Sequence, residues 1–253
     1  MKRDMLATRM QADLQIAADI RHRFAAGAAA AARQTLRQFQ AVRLARTYAD
    51  LLANARFSKA TQFFLTDLYG PETNLSRYEE AQLAMSTAVR LLPLSGLETL
   101  ADAWQLDALS ESLDAAMIET LGSLVHDLTP ARYATAYAAV GRAGDRTRQI
   151  ELIGALAREL ERFGHKPLAL TTLRMMREPA RLTGFADLQR FLENGLDALQ
   201  CMGGVSDFID IVTAREHRLM LALLAGEATL LNDTARIGNG MAARENVPGG
   251  PPD

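Results

Sequence analysis

Apolar residues recur along most of this chain at intervals of three and four, the period that gathers side chains onto one face of an α-helix. Leu6, Met10, Leu14, Ala17, Ile20 and Phe24 make one such stripe, predicting an amphipathic helix over residues 4–24. Residues 30–55 carry a second, with Leu36, Leu44, Tyr48, Leu51 and Leu52. Gly27 interrupts the alanine run between them, so the pair reads as a helical hairpin or one long broken helix. No run alternates with period two, and Val, Ile and Thr are too scattered to build a sheet.

The stretch Phe63-Phe64-Leu65-Thr66-Asp67-Leu68-Tyr69-Gly70-Pro71 joins a strongly apolar face to a hard stop. Ser58 is the predicted N-cap, with Phe57 as a hydrophobic staple before it. Gly70 suits a left-handed closing residue, and Pro71 cannot continue a helix. The paired phenylalanines predict a central core plug. The alternative reading puts Asp67 and Tyr69 on a pocket at the helix end.

Punctuation marks the remaining helices. Asn74 or Ser76 caps one that ends before Pro93. Ser95 and Glu98 match a capping box opening a helix toward Val125. Thr129-Pro130 starts another, Asp145 caps the next, and Gly164 ends it. Pro167 opens a segment that Pro179 breaks or kinks; a helix follows Gly184, and Ser206 caps a last long one that Gly226 stops. The fold class predicted is all-α: a single bundle-like domain of about eight to ten helices with an N-terminal helical extension, short loops favouring antiparallel neighbours. The expected division is residues 1–56, an amphipathic segment packing on the domain or a partner; 57–232, the helical core; and 233–253, a Gly/Pro-rich tail read as disordered.

The run at residues 63–71 resembles the signature of an uncharacterised bacterial protein family carrying Phe-Phe-Leu-x-x-Leu-Tyr-Gly-Pro. Leu-Ser-Glu-Ser-Leu-Asp at 109–114, Arg-Gln-Ile-Glu-Leu-Ile at 148–153, the run from Lys166 to Gly195 and Met202-Gly203-Gly204 are similar to it too. The resemblance spans residues 57–225 and implies a domain extent. It implies no activity, cofactor or catalytic role.

Charge narrows the function classes. With 28 basic and 30 acidic residues the net charge is −2, which argues against a general nucleic-acid footprint. The single cysteine, Cys201, allows no internal disulfide or cysteine-based zinc site; it reads as a small buried apolar residue in a reducing, cytoplasmic compartment. No secretory signal and no transmembrane stretch is apparent. The four histidines form no His-Glu-x-x-His, and there is no phosphate loop, dinucleotide fingerprint or nucleophile elbow. No cofactor and no metal is predicted, and nothing marks an enzyme.

Two charge patterns remain. Asp107, Glu111 and Asp114 share one helix face at i, i+4 and i+7, as a salt-bridged or solvated seam or as a wall that binds a cation. Arg174, Arg177 and Arg181 recur across Pro179, while Arg142, Arg146 and Arg148 flank a helix start that favours anions. These arginines read as a carboxylate or phosphate site with Tyr69, or as ion pairs from Arg174 or Arg177 to Asp107, Glu111 or Asp114. The leading expectation is an interaction or scaffold protein that self-associates or docks a protein partner through its N-terminal helices. The alternative is a binding module for a small anionic or apolar ligand in a helical pocket, and the third is a helical enzyme without a recognisable motif.

Overall fold

The structure, a computed structural model, describes residues 1–68, 89–90, 92–164, 171, 174–175, 177–183 and 186–232. Among them there is no strand, and the chain is all-α as its periodicity predicts. The helices are α1 (Lys2–Arg23), α2 (Gly27–Thr47), α3 (Ala49–Ala53), α4 (Ser58–Phe63), α5 (Leu94–Leu121), α6 (Pro130–Val140), α7 (Ala143–Gly164), α8 (Arg177–Thr183), α9 (Ala186–Met202), α10 (Ser206–Leu224) and α11 (Thr229–Asn232). A π-helical turn, Phe64–Leu68, continues α4, and a 3-10 segment, Gly122–Asp127, follows α5.

α5 is the axle. It spans about 42 Å at 1.5 Å per residue and packs against α1, α2, α6 and α7. It buries Leu97, Ala101, Trp104, Leu113, Met117 and Leu121, and its acidic residues meet arginines and a lysine of the helices around it. The stripe of α1 (Met10, Leu14, Ala17, Ile20) is buried, and Met10 and Leu14 pack with Leu97, Ala101 and Trp104. Lys2 pairs with Glu98, Arg9 with Asp102 and Arg23 with Glu119, so α1 runs parallel to α5. The antiparallel expectation fails here because α1 and α5 are far apart in sequence and no short loop joins them. It holds for α7, where Arg142 reaches Ser112 while Arg148 reaches Gln105 further back along α5.

Several helix starts differ from their sequence signals. α4 begins at Ser58 with Phe57 in the cap position, and no side chain caps it. α5 begins at Leu94, one residue before the expected capping box; Pro93 precedes it, and Glu98 pairs with Lys2 instead. α10 starts at Ser206 after Val205, whose N–H donates to the Glu161 carboxylate at 2.8 Å. α7 starts ahead of Asp145, which lies in its first turn. Thr129 does cap α6, accepting from the Arg132 N–H at 3.3 Å, with Pro130 at the first helical position. Pro179 lies within α8, and most of the segment from Pro167 that it was expected to break or kink is outside the described residues.

The double phenylalanine divides its labour. Phe64 is buried with Leu44, Tyr48, Phe57, Phe208 and Val212 and meets the Tyr48 ring edge-on at 5.6 Å. Phe63 is half-buried, 5.3 Å from the Phe191 ring. A Cβ on Gly195 would come within 2.8 Å of the Phe63 Cζ, so any larger residue there displaces the Phe63 ring. Tyr69, Gly70 and Pro71, most of the expected helix from residue 74 and of the Pro167 segment, and the tail beyond 232 lie outside the described residues.

Candidate functional site

Helices α2, α4, α5, α6, α7, α9 and α10 surround a cavity of about 590 Å3, mostly apolar in its lining. That volume falls within the range of small-molecule sites. One α7 stripe, Arg146, Ile150, Ile153, Ala157 and Leu160, runs its length. The turn into α7 sets the register. Gly141 and Arg142 both adopt positive φ, 61° and 52°, ending α6 and reversing the chain. Arg142 tolerates this unusual conformation because its guanidinium is fixed, donating to Asp145 at 2.7 Å and to the Ser112 hydroxyl at 2.9 Å. The next turn then lays Arg146 back over α6.

One wall is ionic. Glu111, only 2% exposed, accepts from Arg33 at 2.7 Å and from Arg37 at 2.8 Å, with the Arg21 Nε 3.2 Å away. Arg21 also pairs with Asp107. Asp114 accepts from Gln40 at 2.9 Å and lies 3.7 Å from the Arg37 Nε. Arg43 donates to both oxygens of Glu216, at 2.7 and 2.9 Å, and the Tyr48 hydroxyl donates to the same carboxylate. Burial raises the Asp107 and Asp114 carboxyls, with the neighbouring arginines pulling the other way. Burial opposes the charge on Arg43, yet Glu216 beside it outweighs that and holds it charged. Burial pushes Tyr137 up to about 12. The cavity is partly open, and the rest of its lining is largely apolar, with Phe63, Leu156, Leu160, Phe191 and Leu192 among the lining side chains.

Of the residues singled out in the sequence, Asp107, Glu111 and Asp114 line the cavity, but their cations come from α1 and α2 rather than from Arg174 or Arg177. Arg177 instead pairs with Glu193, Arg174 lies 3.6 Å from Glu193 and 3.8 Å from Asp197, and Arg181 pairs with Glu178 within α8. None of these three arginines lines the cavity, nor does Asp67, which accepts from the Thr66 hydroxyl. Tyr69 lies outside the described residues. Cys201 is exposed, with the Lys59 ammonium 3.6 Å from its sulfur, so its reading as a buried residue is corrected. Arg37, Arg43, Tyr133 and Glu216 also line the cavity and were not among the site candidates legible in the sequence. Their signal was faint: arginines on the same helix as Leu36 and Leu44 look like an exposed flank until a carboxylate helix covers them.

An all-α domain whose helices enclose an apolar cavity with one ionic wall is the class of protein these features define. The chain belongs to the family described as a domain of unknown function (DUF8198), whose model matches residues 19–230. That match takes in α2 and the end of α1 along with the segment from residue 57 on. No curated protein and no solved structure matches the chain. Among the described residues no helix is long and apolar enough to cross a membrane.

Proposed function

We propose that this protein is a binding module for a small, largely apolar ligand held in the cavity between α5, α7 and α9. The observation that carries the reading is the cavity itself: protein interiors are close-packed, and a void of this size lined by several helices loses contacts that an occupant would restore. The N-terminal helices then serve as structure. The stripe of α1 is spent against α5, and α2 supplies Arg37, Gln40, Arg43 and Leu44 to the cavity wall.

A neutral fluorophore sensitive to apolar surroundings, N-phenyl-1-naphthylamine, tests this on the full chain. Saturable, blue-shifted emission is expected. Ala157→Phe, which fills the cavity from α7, is expected to reduce the affinity while keeping the cooperative melt. Emission identical to that in buffer would remove the proposal, as would undiminished binding to a folded Ala157→Phe variant.

A further inference from the structure

Resting on that cavity reading, we propose that the ligand is an amphipathic carboxylate. Its single carboxylate head sits on Arg146, and its extended apolar chain runs along α7 toward Leu160. Arg146 is 6% exposed. Its Nε donates to the Gly141 carbonyl at 3.1 Å and its guanidinium carbon lies 3.4 Å from the Tyr137 ring centroid. Its Nη2 is buried with no protein acceptor, and no carboxylate pairs with it among the described residues. Stacking on a tyrosine offsets part of the cost of a buried cation, but only an anion balances its charge.

The charge count of the ionic wall fixes the head group. Arg21, Arg33, Arg37 and Arg43 are matched by Asp107, Glu111, Asp114 and Glu216; Arg146 is the cation left over. Three other lining residues have a buried polar atom without a protein partner: Arg43 at Nε, Trp104 at Nε1 and Asp107 at Oδ2. Arg43 and Asp107 are already in ion pairs and Trp104 is neutral, so among the described lining residues only Arg146 joins a free N–H to an unbalanced charge. One negative charge completes the wall, whereas a dianionic phosphate would add repulsion against four carboxylates. The position suits an anion on a second count, since Arg146 lies in the first turn of α7, where the helix dipole is positive.

The stripe sets the shape of the rest. From Arg146 to Leu160 α7 advances about 21 Å, with Ile150, Ile153 and Ala157 between them. This polar head and apolar track match an acyl chain better than a compact ring.

Calorimetric titration of the full chain with dodecanoate, dodecan-1-ol, dodecyltrimethylammonium and dodecyl phosphate, each below its micellar concentration, tests the assignment. Dodecanoate is expected to bind at least about tenfold more tightly than the alcohol, the scale of one charge-assisted hydrogen bond, and more tightly than the cation or the phosphate. Arg146→Met is expected to abolish the preference for carboxylate over alcohol by lowering carboxylate affinity far more than alcohol affinity; Arg146→Lys keeps part of it. Alcohol bound as tightly as carboxylate by the unmodified protein, or a preference that survives Arg146→Met, overturns the head-group assignment and leaves the cavity reading standing. Phosphate bound more tightly than carboxylate overturns the single charge. If no alkyl probe binds, both readings fall. The carboxylate-to-alcohol ratio on the unmodified protein decides even if Arg146→Met does not fold.

Discussion

Arg33 and Arg37 on α2, and Arg174, Arg177 and Arg181 around α8, look alike in sequence: arginines three or four residues apart on a helical pattern. In the fold they have little in common. The inner pair converges with Arg21 on the buried Glu111 and fastens α1 and α2 to α5. The outer three are largely exposed, 62% for Arg177 and 68% for Arg181, and pair within α8 or with its neighbour α9. Burial, and not spacing, sets the worth of an arginine: a desolvated pair is costly to break, while an exposed one is screened by water and salt.

The contrast can be broken most directly at Glu111. Glu111→Gln takes from Arg33 its carboxylate and leaves Arg21 and Arg37 with Asp107 and Asp114, and a loss of about 3–5 kcal/mol is expected in urea denaturation. A loss no larger than that of an exposed pair would erase the distinction. Asp50 gives an intermediate case. It holds Arg215 through bonds of 2.6 and 2.7 Å but is itself half-exposed. Asp50→Asn is therefore expected to cost only about 1–2 kcal/mol after screening.

Acid sharpens the comparison, because the two kinds of carboxylate respond with opposite sign. The hydrogen bonds from Arg215 hold Asp50 below the usual carboxylate range. Its stabilisation is thus full above that range and is lost as pH falls through the folded value. The Asp50→Asn deficit should close on acidification. Burial instead raises Asp114, so it binds its proton more readily in the folded than in the unfolded chain. The resulting advantage is present below the ordinary carboxylate value and is lost as pH rises through the raised one. Stability of the unmodified chain relative to Asp114→Asn is expected to decline across that window, measured by urea denaturation at stepped pH. Equal slopes for Asp50→Asn and Asp114→Asn would contradict the opposed environments. The smallest effect belongs to the outer set: Arg181→Met is expected to leave the melting midpoint indistinguishable from the unmodified chain.

Much of the candidate site was half-visible before folding. Asp107, Glu111 and Asp114 announce a shared face through their spacing, and that face does carry an ionic seam. Arg146 was marked only as one of several arginines near a helix start. What singles it out is a carboxylate neighbour it lacks among the described residues, and that is a property of three-dimensional arrangement. Glu216 is 173 residues from the arginine it holds. Such a contact leaves no local period to read. Ser58 and Ser206 illustrate the converse failure: both have cap chemistry, yet both helices begin with these residues already inside the first turn.

The periodicity of apolar residues and the lack of alternating runs determined by themselves that this chain is helical, because backbone hydrogen bonding within a helix is local and only the stripe must find a partner. Which stripe meets which was settled in three dimensions. The parallel pairing of α1 with α5, the choice of arginine for each carboxylate and the cavity beside Arg146 depend on how bulky side chains and desolvated charges from distant segments share one interior. That sharing is a sum over the whole fold, and no short window of residues contains it.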